Sequence, residues 1–310
     1  MKEESSHWYR ANGDACHSVP TSSPKAKSKT RPVKITDAVQ LGLYPSVTTI
    51  LSVMAKPQLD KWKQKQVQDA TRRMLAQLVA VQDGKQPTAQ DVDYLRILVA
   101  PDITKQAEVD LVAQFQEKCI EEAFRPVEEA ADAGTLIHGG AELALQGKDY
   151  EEDAPVYLPA LKENFPLKTF VEPIKRFVEE NEIRVTGNEV RTVNHNEGYA
   201  GTIDAPMRSK RGLGILDFKT RKTDPRYPCD PYDGQPMQIA AYHVSHYGCV
   251  PEADTHVAGC NLYVSTTEPG RVEAVWYDGA TLAREWDAFT HVAALWRHIK
   301  KYDPRGRRPE

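Results

Sequence analysis

The segment GLGILDFKT carries a carboxylate and an ammonium two residues apart, at Asp217 and Lys219. On a strand, successive side chains face opposite ways, so these two share a face and Phe218 points the other way, into the core. An isolated D-x-K of this kind is a surface ion pair of little energetic weight. This one has a companion. Upstream, YAGTID reads as a neighbouring strand with Asp204 at its end, and a hairpin of this length can set Asp204 beside Asp217. Two converging carboxylates repel unless a cation lies between them. Lys219 offsets one of them; a divalent metal offsets both, and hard oxygen donors suit Mg²⁺ or Mn²⁺.

Two further groups point the same way. In GTLIHGGAELALQG, His138 and Glu142 share a helix face. Gly139 and Gly140 interrupt that helix at about 1 kcal/mol each, which is consistent with a close backbone approach. A lone helical histidine is most often structural; one that opens onto two glycines is a stronger ligand candidate. In QIAAY, Gln238 and Tyr242 lie on one face of a later helix. Between these motifs, residues 208–226 hold seven basic residues against two acidic ones, in a chain of net charge −4. Read alone, this is a solvated loop; around an acidic metal site, such cations suit a phosphodiester substrate.

The elements that must position these residues follow from texture and period. Residues 1–44 read as a flexible basic arm, rich in Ser, Pro and Lys, with Lys25, Lys27, Lys29, Arg31 and Lys34 at near-alternate positions. A helical segment spans 45–130: one helix through Met54, Leu59 and Trp62, a second over 67–82, a break at Gly84, Pro87 and Thr88, then helices over 91–98 and 108–131. The core spans 131–300. It opens on a helix over 131–145 and a loop at Pro155 and Pro159, and continues with a helix over 174–180. Strands follow over 185–193, 199–206 and 213–219, then a helix over 234–247 and strands over 257–264 and 271–277. A last helix over 280–300 carries Leu282, Trp286, Phe289, Val292, Leu295 and Trp296 on one stripe. Residues 301–310 read as a loose basic tail.

Taken in order, GTxxH, G-x-x-D, D-x-K and Q-x-x-x-Y resemble the RecB-type branch of the PD-(D/E)xK nuclease superfamily over about 131–264. The upstream PSVTTIL and KPQLDKW segments resemble the opening of phage-encoded and mitochondrial genome-maintenance exonucleases, less specifically. The resemblance implies an α/β (α+β) fold, a central mixed sheet flanked by helices in restriction-endonuclease-like α-β-β-β-α-β order, which the strand and helix reading reaches independently. It implies a metal held by His138, Asp204 and Asp217, with Glu189 in NEVRTV as a less uniform acidic position, and Lys219 placing or activating the water. It gives Gln238 and Tyr242 the tasks of steadying the site and touching nucleic acid. Some relatives hold an iron–sulfur cluster through one cysteine and a later group of three. Here Cys119 could serve as the first, but Cys229, Cys249 and Cys260 are widely spaced and Cys229 precedes Gln238, so no cluster is expected.

The expected activity is therefore Mg²⁺- or Mn²⁺-dependent hydrolysis of DNA, most simply as an exonuclease acting at a free single-stranded end. Thr135, Arg221, Lys222, Arg226 and Tyr242 are the candidate nucleic-acid contacts. Trp62, Lys61, Lys63, Lys65, Arg72 and Arg73 offer a candidate opposite wall of a DNA channel. The alternative is an inactive binding module of the same fold, which gains nothing from acids clustered near phosphate. A zinc enzyme built on His138 and Glu142 lacks H-E-x-x-H or clustered Cys/His spacing. No run approaches the ~20 apolar residues of a membrane helix, and MKEESSHWYR has no apolar signal core. Five scattered cysteines suit free thiols in a reducing compartment. The expected setting is thus the cytoplasm of a bacterium or phage-infected host, with DNA as partner, no membrane, and a replication or recombination protein as a candidate partner.

Overall fold

The computed structural model describes residues 7–21, 28–79, 89–253 and 255–305. Lys25 and Lys27 of the expected arm, the expected helix break at 80–88 and positions 306–310 of the tail lie outside these residues.

The chain is a mixed α+β protein. In order its elements are β1 (Trp8–Tyr9), β2 (Ser18–Pro20), β3 (Thr30–Pro32), α1 (Ile35–Leu41), β4 (Tyr44–Pro45), α2 (Val47–Leu51), α3 (Pro57–Val79), α4 (Ala89–Val99) and α5 (Gln106–Leu145). There follow β5 (Pro155–Leu158), β6 (Glu163–Pro166), α6 (Lys168–Glu180), β7 (Arg184–Val185), β8 (Val190–Asn194), β9 (Tyr199–Ile203), β10 (Ala205–Ser209) and β11 (Gly212–Arg221). The last are α7 (Gly234–Tyr247), β12 (Val257–Ser265), β13 (Val272–Asp278) and α8 (Gly279–Lys300). The chain divides into two compact units, one of Met1–Ala55, Gly134–Val156 and Asn164–Glu310, the other of Lys56–Ala133 and Tyr157–Glu163.

The first unit is built on a five-stranded sheet in the order β13-β12-β11-β10-β7. β11 and β12 run parallel, with α7 between them in sequence, and the remaining neighbours are antiparallel. Ile215, Leu216 and Phe218 on β11 and Ala258, Leu262 and Val264 on β12 are all buried. Near-continuous apolar runs of this kind are what strands covered on both faces require. One stripe of α8, comprising Leu282, Phe289, Ala293 and Trp296, enters the core with Ile239, Ala240 and Ala241 of α7. Leu295, expected on that stripe, is half exposed, one residue off its face.

The sheet splits at one place. β10 pairs with β11 from Ser209↔Gly212 to Ala205↔Leu216. β9, one residue earlier, pairs instead with β8, from Val190↔Ile203 to Asn194↔Tyr199. The expected strand over 199–206 is therefore two strands, and Asp204 is the residue between them. The expected strand over 185–193 is likewise divided into β7 and β8. Glu189 immediately precedes β8 in the left-handed region (φ 48°) and donates its N–H to the Asp204 carbonyl.

The expectation of a flexible arm over 1–44 is corrected for the described residues 7–21 and 28–44. Trp8, Cys16, Val33, Ala38 and Leu43 belong to the main core cluster, β1 pairs with β4, and Ser46 bridges to Ala200 of β9. Aromatic and aliphatic residues among the lysines supply the burial that the average composition hid. The loose tail is corrected too: Tyr302 is buried, and its hydroxyl donates to the carbonyls of Ala38 and Leu43.

In the second unit the two helices expected before residue 82 are a single α3 after α2, and α5 joins the expected 108–131 and 131–145 helices despite Pro126. The boundary between the units falls inside α5, between Ala133 and Gly134. Ala70, Phe115, Cys119 and Ala123 are buried, and Trp62 is exposed. The five cysteines are free thiols.

Candidate active site

The split in the sheet makes the site. At Ala205↔Leu216 the ladder between β10 and β11 ends, because β9 has turned to β8. The next inward N–H on β11, that of Phe218, would be left without a strand carbonyl. The Asp204 side chain supplies the acceptor: its Oδ2 takes the Phe218 N–H at 2.8 Å. A carboxylate is thus fixed between diverging strands, facing Asp217.

Asp217 is buried on the central strand. Its Oδ2 accepts from the Lys219 ammonium at 2.7 Å and from Nδ2 of Asn261 at 2.8 Å. Asn261, on β12 at the register position of Asp217, accepts in turn from the Tyr277 hydroxyl on β13 at 2.7 Å. Three adjacent strands thereby orient one oxygen of one acid.

The electrostatics follow from burial. Desolvation, and then the neighbouring Asp217, hold the Asp204 carboxyl well above the usual carboxylate range; Lys219 and the Phe218 N–H oppose this without cancelling it. Burial works to lower the Lys219 ammonium, but Asp217 and Asp204 outweigh it and Lys219 titrates above its ordinary value. It is therefore a fixed cation at neutral pH, a hydrogen-bond donor and not a base.

His138 lies on α5, with Nδ1 3.8 Å from Oδ2 of Asp204 and its ring edge-on to Phe218. Burial, and then the charge of Lys219, lower its pKa. The contact is thus between a neutral imidazole and an acid, and a neutral imidazole has a lone pair to offer a metal. The expected reason for the helix glycines is refined. Gly139 has open space around it, whereas Gly140 meets Leu167 and Val171 of the α6 region so closely that a Cβ would sit 2.8 Å from Leu167 Cδ2. Thr135 is exposed on the same helix.

Gln238 and Tyr242 are both buried on α7, and the Gln238 amide donates to the Tyr242 hydroxyl at 3.2 Å. Gly201 is the glycine of G-x-x-D because the Tyr242 ring crosses it: a Cβ there would lie 2.6 Å from Cε1. This overturns the expectation that Tyr242 touches nucleic acid. A buried hydroxyl, with its pKa raised first by desolvation, braces β9 from behind. The expected acid Glu189 adjoins Asp204 through its backbone N–H, and partial desolvation and then Glu142 raise its carboxyl, with Arg191 opposing.

The basic stretch is largely engaged. Arg226 is paired bidentately with Asp224, and Lys210 is paired with Glu182. Arg221 donates to the Asp230 carbonyl and lies over the rings of Tyr232 and Tyr263. Lys222 is exposed. Of the expected nucleic-acid contacts, Arg221 and Arg226 are thus already held by neighbouring groups.

Among the described residues no three His, Cys, Asp or Glu side chains stand at metal-holding distances as they are placed. The donor chemistry nevertheless fits a divalent cation. Asp204 is an acid whose ionisation its surroundings resist until a cation is present, Asp217 is its charged neighbour, and a neutral His138 adjoins Asp204.

The sequence reading missed Asn261 and Tyr277. The available signal was an amide side chain in the middle of the apolar run AGCNLYV, which burial tolerates only with partners. No family model matches the chain, and no curated protein matches it. Among the described residues no helix is long and apolar enough to cross a membrane.

Proposed function

We propose that the protein is a metal-dependent deoxyribonuclease of the RecB-type PD-(D/E)xK kind, an exonuclease that hydrolyses phosphodiester bonds from a free single-stranded end. The observation that carries this reading is the junction of β9, β10 and β11. It sets Asp204 against Asp217, with Lys219 on one acid and a neutral His138 against the other. A carboxylate pair brought together at a strand break, with Lys219 on one member only, carries a repulsion that a divalent cation relieves, and it suits the binding of Mg²⁺ or Mn²⁺. The sequence α5, β7–β8, β9–β10, β11, α7, β12 supports a restriction-endonuclease-like core.

Asp204, Asp217 and His138 would hold the ion, with Glu189 as an adjoining acid. Once bound, it would supply a Lewis acid and a water of lowered pKa. Lys219, kept protonated by both acids, orients a water through its N–H groups and offsets charge growing on the phosphate oxygens. Asn261 fixes the Asp217 rotamer, and Gln238 with Tyr242 supports β9 so that Asp204 keeps its place. The deciding experiment is incubation of end-labelled single-stranded and duplex DNA with Mg²⁺, Mn²⁺ or EDTA. Shortening of single strands from an end in either metal, absent in EDTA and in Asp217→Asn, is expected; intact DNA in both metals refutes the reading.

A further inference from the structure

We propose that Tyr232 is the outer face of a stacking platform for an unpaired nucleotide, which gives this site its single-strand selectivity; the inference rests on the nucleic-acid reading above. Tyr263 on β12 is fully buried beside Lys219 in the sheet register. The Arg221 guanidinium lies 5.2 Å from the centre of its ring and 4.9 Å from that of Tyr232. Arg221 is fixed by the Asp230 carbonyl at 2.6 Å. Gln235 Oε1 accepts both the Tyr263 hydroxyl at 2.7 Å and the Tyr232 N–H at 2.9 Å, so one amide ties the loop to the sheet.

A buried ring, a guanidinium and a second ring thus form a series that starts in the core and ends in solvent, where Tyr232 is 65% exposed. An aromatic ring pinned so firmly and left open presents a ready face for another planar group. The adjoining depression of about 270 Å³ is lined by Arg221, Lys222, Tyr227, itself 65% exposed, and Asp224, whose charge is taken up by Arg226. Planar ligand plus cation describes a nucleotide: the base stacks on Tyr232 and its phosphate meets Arg221 and Lys222. Arg221 shares the Asp217 face of β11, about 13 Å further along at ~3.3 Å per residue, so the same strand that reaches the acids can reach the platform. Bases within a duplex are already stacked and have no face to offer.

The test is fluorescence anisotropy in EDTA with a labelled single-stranded oligodeoxynucleotide and with its blunt duplex. Tyr232→Ala should weaken single-strand binding roughly ten- to a hundred-fold, Tyr232→Phe should restore it, and duplex binding should not change. In Tyr232→Trp, indole emission should be quenched by the oligodeoxynucleotide and not by an abasic strand of the same length. Unchanged single-strand affinity in Tyr232→Ala, an equal loss on duplex, no single-strand binding by the wild type, or no base-dependent quenching overturns the proposal. Cleavage in Mg²⁺ is read separately. Turnover without a Tyr232 effect on binding removes the platform alone, and a Tyr232 effect without turnover removes the nuclease alone.

Discussion

The Phe218 N–H and the Asp204 carboxylate meet at 2.8 Å, a side chain standing where a strand carbonyl would be. Asp204 is consequently a sheet residue as well as a candidate ligand. Replacing it by alanine would orphan a backbone donor, so asparagine, which keeps an acceptor oxygen, is the informative substitution. Because burial and Asp217 raise the folded carboxyl from 3.8 to about 8, the unfolded chain releases a proton that the folded one keeps, and stability falls as pH rises through that window. Asp204→Asn should abolish cleavage while raising the metal-free melting temperature by a few degrees at neutral pH. A lower melting temperature in calorimetry would show that Asp204 is not under charge strain.

Lys219 is a cation held by two acids, and its task is donation. Lys219→Met should lower kcat by about 10²- to 10³-fold and leave Mn²⁺ affinity in place, whereas Asp217→Ala should lose both. Isothermal titration with Mn²⁺ beside single-turnover kinetics separates the two. Near wild-type turnover in either variant would remove the mechanism.

The Tyr277 to Asn261 to Asp217 relay makes a graded prediction. Asn261→Ala leaves the Tyr277 hydroxyl without its acceptor and Asp217 with Lys219 alone. It should cost about 1–3 kcal/mol of stability and weaken Mn²⁺ binding by roughly tenfold or more. Tyr277→Phe should do less of each. Urea melts and Mn²⁺ titrations of both variants check the order.

His243 on α7 is fully buried, and neither ring nitrogen has a hydrogen-bond partner among the described residues. Burial, and then His246, push its pKa down to about 4 from 6.5. Above pH 6.5 both folded and unfolded states hold it neutral, and it has no effect. As pH falls from 6.5 towards 4, the unfolded chain takes a proton that the folded one refuses, so stability drops by about 3 kcal/mol. His243→Leu should flatten the stability profile in that window, measured by urea unfolding across pH.

Trp8 lies in the main core with Trp296 and Tyr302 within 6.4 Å between ring centres. Trp8→Ala should cost about 3–5 kcal/mol, against no measurable cost if the N-terminal region were a solvated arm. Chemical denaturation with intrinsic fluorescence reads this directly.

Where local pattern and tertiary role coincide, the sequence was legible. The helix expected over 234–247 is α7 residue for residue, and β11 and β12 stand within two residues of their expected spans, since buried strands and amphipathic helices write their period into the chain. The N-terminal region was not legible: β1, β2 and β3 have two or three residues each, too few to show a period, and Trp8 of β1 is buried against Trp296 and Tyr302, far along the chain. Asp204 and Asp217 could be brought together by hairpin length alone, but the change of partner from β11 to β8 leaves no local mark. In the basic stretch the pairing was not legible. Composition counts Arg226 and Lys210 as charges; only the fold shows that Asp224 and Glu182 pair with them.

The Tyr302 hydroxyl reaches back across 264 residues to Ala38, and Trp8 packs beside it. A chain emerging from the ribosome therefore cannot close this part of the core until Tyr302 has been made. Trp8 waits for that distant partner, and closure over so long a span is slow relative to local helix formation. Truncation ahead of Tyr302 would leave the Ala38 and Leu43 carbonyls without their donor and Trp8 without its aromatic neighbour, so residues near position 300 complete a core begun before position 45.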